Sequence, residues 1–217
     1  TSLRALDPDL VERIHAYGGI IFHDVINVRH AQKAIEVGVD GLVLVCAGAG
    51  GHAGTLSPFA LVSEIKQLFD GPIALSGSIA NGASILSAQA LGADFAYIGT
   101  RFIASKEANA ERAYKTMLVE SSAKDIVYSS LFSGVHGNYL KPSIINAGLD
   151  PDDLEQGDKN KMKFGSEGGS KSRAWKDIWG AGQGLGSIAD ITDVATIVAR
   201  FKTEYDVALS RLKRLNN

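Results

Sequence analysis

The chain has 217 residues and a single cysteine, Cys46, so it can form neither an intramolecular disulfide nor a cysteine-built metal site. This scarcity of cysteine is typical of a reducing compartment, and we expect a cytoplasmic protein. No apolar run reaches the roughly 18 residues that a transmembrane helix needs, and the first residues do not resemble a signal peptide. The net charge is only −2, so we expect no nucleic-acid partner and no membrane anchor.

Glycine, by contrast, is abundant. The chain has 24 glycines, about 11% of its residues against an average near 7%. Hydrophobic residues make up 45% and charged residues 21%, which is enough apolar material to bury a core. The positions of the glycines are therefore the most informative feature of the sequence.

The first 105 residues repeat one pattern, in which a short apolar run is followed by a turn, a helical stretch and a Gly-containing connection that ends in Asp. The runs are short, rich in branched residues and typical of buried parallel strands: Gly19–Val25, Gly41–Cys46, Pro72–Ser76 and Phe95–Ile98. The helical stretches are Asp7–Tyr17, Val28–Val37, Pro58–Phe69 and Ala83–Leu91. We predict that Asn27, Ser57 and Asn81 are the N-caps of the last three. The strands start roughly 22–31 residues apart, which favours a (β/α) barrel or a doubly wound sheet.

The pattern changes after Arg101. We predict a long amphipathic helix over Glu107–Ser121, a short mixed segment over Asp125–Tyr139 and a last helix over Asp193–Leu212. Between them, Pro151–Arg173 is polar and is interpreted as a linker or surface loop.

Three glycine-rich turns follow predicted strands, where backbone N–H groups and helix N-termini can bind an anion such as phosphate. Their candidate site residues are Gly50, Gly51 and His52 in the first turn, Gly77 and Ser78 in the second, and Gly99 and Thr100 in the third. Two alternatives stay open. The glycines could serve only tight strand-to-helix connections, and the first turn could be a mobile loop with a solvated imidazole.

Other chemistries have little support in the sequence. No acidic residue follows the first turn at the distance that a dinucleotide-binding fingerprint requires, and no Gly-Lys-Ser/Thr indicates a P-loop. His52 has no cysteine or carboxylate partner visible in sequence, so we predict no metal site. His136 and Lys141–Ser143 could form a lid or a surface loop.

Four motifs together resemble one family. GAGGHAGT (Gly48–Thr55), ALSGSIANG (Ala74–Gly82), LGADFAYIGTRFIAS (Leu91–Ser105) and AWKDIWGAGQGLG (Ala174–Gly186) are similar to segments of the nitronate monooxygenases, formerly called 2-nitropropane dioxygenases. These are FMN-dependent TIM-barrel oxidases. The resemblance runs from about Pro8 to the C-terminus. The His-containing loop alone also resembles those of a flavin-dependent enoyl-ACP reductase and a quinone reductase.

The resemblance implies a role for each candidate residue. His52 corresponds to the active-site histidine beside the flavin, and Gly50 and Gly51 let the loop approach it. Ser78 stands after Gly77 where relatives often have a second glycine that contacts the FMN phosphate through its N–H. This departure is harmless unless the φ angle of Ser78 is positive. The segment that completes the phosphate site comprises Tyr97, Ile98, Gly99 and Thr100.

The chemistry that the resemblance implies is enzymatic oxidation of alkyl nitronates by O2 to carbonyl compounds and nitrite. His52 would take the α-proton of a nitroalkane, or only position the anionic nitronate. Two alternatives stay open: an FMN-dependent NAD(P)H reductase of quinones or enoyl thioesters, and a non-catalytic half-barrel that binds a phosphate ligand.

The family has eight strands, and the four runs found here match the last four. We therefore expect an α/β chain of the (β/α)8 TIM-barrel class, with residues 1–122 as the C-terminal half of the barrel and 123–217 as a helical and loop extension. An open half-barrel exposes strand edges and an apolar face. The missing N-terminal half would come from the rest of a longer chain, which we favour, from a partner chain, or from a second copy in a homodimer.

Overall fold

The computed structural model describes residues 6–155 and 177–215. Its helices are α1 (Pro8–His15), α2 (Val28–Glu36), α3 (Pro58–Ile65), α4 (Gly82–Ala90), α5 (Thr100–Ile103), α6 (Arg112–Glu120), α7 (Lys141–Asn146) and α8 (Val194–Leu215). Its strands are β1 (Phe22–Val25), β2 (Gly41–Val45), β3 (Gly51–His52), β4 (Ile73–Ser76), β5 (Phe95–Tyr97), β6 (Ile126–Ser129) and β7 (Gly137–Leu140). Most of the predicted polar linker lies outside the described residues.

The chain forms two compact units. The first comprises Thr1–Ala47, Gly54–Ile98 and Val198–Asn217, and the second comprises Gly48–Ala53 and Gly99–Ile197. This division differs from the predicted domains, because residues 99–122 fall in the second unit and residues 198–217 in the first. The assignment of domains to 1–122 and 123–217 stays a prediction.

The first unit contains a parallel four-stranded sheet in the order β1-β2-β4-β5. All four predicted strands are confirmed, with ends shifted by one to three residues. Its core contains strand and helix residues that are fully buried, among them Leu42, Leu44, Leu61, Ile65 and Ile73. Cys46 is fully buried in the same core, where burial raises the pKa of its thiol to about 12.

Local signals in the sequence account for the helix and strand starts of this unit. The predicted caps Asn27 and Asn81 accept hydrogen bonds from the backbone N–H groups of His30 and Ser84, at 2.8 and 2.9 Å. Ser57 precedes α3, but its side chain makes no capping hydrogen bond.

The repeated Gly-x-Asp connections have one structural role. Asp40 precedes β2, and its carboxylate accepts a hydrogen bond from Ile21 N–H, just before β1, at 2.6 Å. Asp94 precedes β5, and its carboxylate accepts one from Ile73 N–H, at the start of β4, at 2.8 Å. The glycines of the two connections have φ angles of +83° at Gly38 and +101° at Gly92. The repeated Gly-x-Asp motif therefore has the same structural role in both connections, at the end of a helix and the start of the next strand.

The second unit contains a small antiparallel sheet in the order β3-β7-β6. The sequence predicts neither β3 nor the β6–β7 hairpin, because β3 has only two residues and the hairpin lacks a clear alternation. The predicted helix over 107–121 is shorter, as α6 begins at Arg112. The ammonium of the buried Lys115 donates to the carbonyls of Ser105 and Ala108, at 2.6 and 2.7 Å, and holds that segment in a non-helical path.

Of the helices in residues 6–155 and 177–215, none has both the length and the apolar character that a membrane span needs.

Candidate functional site

The carboxyl ends of the four parallel strands lie along one edge of the first unit's sheet. The register pairs Val45 with Ser76 and Ser76 with Tyr97, so β2, β4 and β5 end side by side. Gly77 and Ser78 follow β4, and Ile98 follows β5, which places both segments at the same edge. This is the edge at which barrel and open α/β proteins bind their ligands.

The turn after β4 has an unusual backbone. Gly77 has a φ of +138°, and a Cβ there would lie 2.9 Å from the carbonyl oxygen of Ala47. Ser78 follows with a φ of +56°, and no other non-glycine residue among those described has a positive φ. The condition under which serine would be harmless is thus not met, since this conformation costs an L-residue about 1–2 kcal/mol.

Helix α4 begins beyond this turn, and its first amide N–H already donates a hydrogen bond. Gly82 N–H donates to the carboxylate of Glu204 in α8, at 2.7 Å. The negative charge of Glu204 stabilises the positive end of α4 but disfavours an anion at the same place. The sequence could not predict this contact, because the two residues are 122 positions apart.

The glycine-rich loop before β3 is held by hydrogen bonds within the second unit. Gly48 O accepts from Gln183 N–H at 2.9 Å, and Ala49 O accepts from the side-chain amide of the buried Asn138 at 2.7 Å. These contacts fix the start of the loop, which the alternative of a mobile loop with a solvated imidazole does not require.

Gly50 is the position at which that loop approaches another backbone segment. A Cβ at Gly50 would lie 2.8 Å from the nitrogen of Gly182 and 3.2 Å from Oγ1 of Thr100. Gly51 is different, since its φ is +70° and nothing lies within 4 Å of where a Cβ would be. The two neighbouring glycines are thus needed for different reasons, close approach and backbone conformation.

Thr100 begins α5 directly after Gly99. Its hydroxyl oxygen accepts a hydrogen bond from Gly182 N–H at 2.9 Å, which links it to the Gly-Ala-Gly-Gln segment of the fourth motif. Gly99 is exposed, and no atom lies within 4 Å of where its Cβ would be. Among residues 6–155 and 177–215, none accepts a hydrogen bond from the amide N–H of Ser78 or of Thr100.

His52 lies on β3, where it pairs with Gly137 of β7. Its imidazole is half-buried, and its Nε2 lies 2.7 Å from Oγ of Ser133. Burial lowers the pKa of His52 below its ordinary value of 6.5, because the charged imidazolium loses hydration. The imidazole is therefore neutral at pH 7 and able to accept a proton.

Ser133 contacts the predicted site residue His52, and the sequence did not reveal this contact. It belongs to the connection between β6 and β7, and its hydroxyl donates to the carbonyl of Val135 at 2.9 Å. The hydroxyl of the fully buried Tyr139 lies 3.4 Å away. An isolated serine 81 positions from the histidine carries no sequence signal, since only the pairing of β3 with β7 brings them together.

The predicted site residues thus fall into two groups. Those in the first unit are Gly77, Ser78, Tyr97 and Ile98, and those in the second are Gly50, Gly51, His52, Gly99 and Thr100. The residues considered for a lid also have partners in the second unit, as His136 stacks on Tyr128 and Lys141 pairs with Asp152. Among the described residues, no three His, Cys, Asp or Glu side chains are grouped as metal ligands.

The fold class follows from the parallel sheet and from the similarity of the whole chain to solved structures. FabK from Thermotoga maritima matches with a TM-score of 0.76 and 21% identity, over 99% of this chain and 69% of that one. Nitroalkane oxidase from Streptomyces ansochromogenes matches with a TM-score of 0.77 and 18% identity, over 97% of this chain and 65% of that one. The predicted α/β fold of the TIM-barrel class is confirmed, with this chain supplying four of the β/α units.

The family is identified by sequence. The chain belongs to the nitronate monooxygenase family, whose model matches residues 2–201. A nitronate monooxygenase from Paraburkholderia phytofirmans is 25% identical over 96% of this chain. The chain spans 61% of the length of that relative. The family implies a flavin as cofactor.

Proposed function

We propose that this chain belongs to an FMN-dependent enzyme that oxidises alkyl nitronates with O2 to carbonyl compounds and nitrite. The observation that carries the proposal is the half-buried imidazole of His52, which belongs to a glycine-rich family motif and whose pKa is lowered by burial. Family membership supports the same reaction class.

The residues present fit a phosphorylated flavin. Each unit by itself offers a backbone donor that no described residue uses, the amide of Ser78 in the first unit and the amide of Thr100 in the second. Donors of this kind bind phosphate. The open space beside Gly51 and Gly99 would let a ligand approach the backbone closely. When bound, FMN would supply the oxidation of the nitronate and the transfer of electrons to O2.

The part played by the protein is to bind, to orient and to move one proton. A neutral imidazole at His52 can accept the α-proton of a neutral nitroalkane, which yields the nitronate. With a nitronate supplied directly, no proton needs to be removed, and the side chain only orients the anion. The two forms of substrate therefore separate the two possible roles of His52.

Flavin binding can be tested through the melting temperature of the protein. FMN should raise it, because a ligand that binds only the native state stabilises that state by mass action. Riboflavin, which has the same ring system and no phosphate, should raise it much less. Equal shifts from the two compounds would contradict a phosphate site.

A variant at Gly99 gives a matched control for this binding experiment. Gly99→Val adds a side chain where nothing lies within 4 Å, so the melting temperature without ligand should stay close to that of the wild type. The FMN-dependent shift should fall if the turn approaches the phosphate. An unchanged shift would remove Gly99 from the proposed site.

Catalysis can be tested with His52→Gln, which keeps a polar side chain of similar size but cannot act as a base near pH 7. Oxygen consumption with a neutral nitroalkane should fall by 100-fold or more, in line with the usual contribution of about 10²–10⁴ from a general base. Consumption with the preformed nitronate should change much less. Wild-type rates with both substrates would reject His52 as a catalytic residue.

The two alternatives predict different outcomes. An NAD(P)H-dependent reductase would bleach its bound flavin rapidly when mixed with NADH without oxygen, whereas the proposed oxidase would not. A non-catalytic half-barrel would bind FMN and consume no oxygen with any nitronate.

A further inference from the structure

The hydroxyl of Ser133 has one proton, and the geometry shows where it goes. Oγ donates to the carbonyl oxygen of Val135 at 2.9 Å, and a carbonyl oxygen can only accept. At its 2.7 Å contact with Nε2 of His52, the same Oγ must then be the acceptor. Nε2 is therefore the nitrogen that carries the hydrogen.

From this arrangement we infer that Ser133 is a positioning residue that holds the neutral imidazole of His52 in the tautomer protonated at Nε2. Nδ1 is then the nitrogen with the lone pair, and it is the atom that receives a proton. The tautomer itself follows from the hydrogen bonds of Ser133. Only the use of Nδ1 in catalysis rests on the proposed function.

The backbone fixes both partners of this contact. His52 is paired with Gly137 through the antiparallel β3–β7 ladder, and Ser133 lies four residues before that partner. The turn that contains Ser133 is closed by the hydrogen bond from Gly134 N–H to Ser130 O at 2.8 Å. Because the backbone already places both side chains close together, little conformational entropy is lost in forming the contact.

Tyr139 is the other group that could change the role of Ser133. Its hydroxyl lies 3.4 Å from Oγ, and either oxygen could donate across that distance. The contact from Ser133 to the Val135 carbonyl is shorter by half an ångström and better satisfies a single donor. Ser133 therefore donates to the Val135 carbonyl rather than to Tyr139, and its Oγ stays an acceptor for His52.

The tautomer can be measured without flavin or substrate. We expect long-range ¹H–¹⁵N spectra of the histidine-labelled protein, recorded above the lowered pKa of His52, to show a protonated Nε2 and an unprotonated Nδ1. In Ser133→Ala the two nitrogens should move towards intermediate shifts, because the acceptor that favours a hydrogen on Nε2 is lost. Ser133→Thr keeps a hydroxyl at the same place and should restore the wild-type pattern.

Tyr139→Phe is the matched control, since it removes a neighbouring hydroxyl and leaves the oxygen that faces Nε2. Its spectrum should match that of the wild type. A proton found on Nδ1 in the wild type, where no variant has to fold, would overturn the inference. An unchanged pattern in folded Ser133→Ala would overturn it as well.

This result is separable from the fate of the proposed function. If the tautomer is as inferred while His52→Gln oxidises nitroalkanes at the wild-type rate, the proposed function fails and the positioning role of Ser133 stands. If His52→Gln is inactive with nitroalkanes but Ser133→Ala leaves the spectrum unchanged, the positioning role fails and the base stands.

Discussion

Replacing Gly50 by alanine tests whether the glycine-rich loop is a tightly packed element. The added Cβ would lie 2.8 Å from the nitrogen of Gly182 and 3.2 Å from Oγ1 of Thr100, the two atoms of one hydrogen bond. Overpacking costs about 1–3 kcal/mol and a lost hydrogen bond about 1 kcal/mol. Alanine restricts the unfolded chain and returns about 0.4–1 kcal/mol. The net destabilisation should be about 2–3 kcal/mol.

Gly51→Ala, one residue further on, is the matched control. It meets no atom within 4 Å and is disfavoured only by its φ of +70°. Its net cost should be about 1 kcal/mol, from a strain of about 1–2 kcal/mol and the same gain in the unfolded state.

Urea unfolding of the two variants measures these costs, with tryptophan fluorescence, to which Trp179 contributes, as the signal. Trp179 stacks on Tyr114 and belongs to the same unit as both glycines. Equal m-values would show that the same surface is exposed in each case. If Gly51→Ala cost as much as Gly50→Ala, or more, the close approach of the loop to Gly182 would be refuted.

Three further predictions concern stability. Ser78→Gly should stabilise the protein by about 1 kcal/mol in thermal or urea unfolding, because glycine adopts a φ of +56° without strain. Lys115→Met should destabilise it by about 3 kcal/mol, because the carbonyls that accept from the buried ammonium lose a charged donor. The pKa of the Asp40 carboxyl is lowered, first by its hydrogen bond with His15, so its contribution to stability is present above about pH 4 and lost as the pH falls below that value. Asp40→Asn should therefore show a weaker dependence of the urea midpoint on pH in acid.

Each of these predictions has its own control. Gly77→Ala, beside Ser78, should destabilise, since its Cβ would lie 2.9 Å from Ala47 O; destabilisation by Ser78→Gly would contradict the strain argument. Lys106→Met removes an exposed ammonium 3.9 Å from Asp193 and should change stability by less than about 1 kcal/mol. An equal loss of stability in Lys115→Met and Lys106→Met would contradict a special contribution of the buried ammonium of Lys115. If the urea midpoint of Asp40→Asn depended on pH in acid as that of the wild type does, the Asp40 carboxyl would not contribute to the acid dependence of stability.

Glu204 distinguishes two backbone amides near the start of α4. The first amide of α4 is already satisfied by this carboxylate, whereas the amide of Ser78, four residues earlier, has no acceptor among the described residues. Serine and glycine both offer a backbone amide at position 78, but glycine would adopt the φ of +56° with less strain. Strain of this kind is common at functional sites, where the surrounding structure holds a backbone that the residue itself disfavours.

The local signals of the β/α units were readable from the sequence. The caps Asn27 and Asn81, and the Gly-x-Asp connections that end in Asp40 and Asp94, act within a few residues or on the adjacent strand. Short-range hydrogen bonds and apolar periodicity decide such elements, so the sequence carries nearly all of their information. The candidate turns could be recognised for the same reason, as glycine after a strand is a local feature.

The pairing of distant segments was decided only by the tertiary structure. The two-residue strand at Gly51–His52 exists because β7 lies beside it, and the contact of His52 with Ser133 follows from that pairing. The same holds for Glu204 at the start of α4 and for the φ of Ser78. The amino-acid sequence alone determined four parallel strands, the N-caps of two helices between them and the family motifs. The partners of the histidine and of the helix start depended on contacts 81 and 122 residues apart, which no local preference specifies.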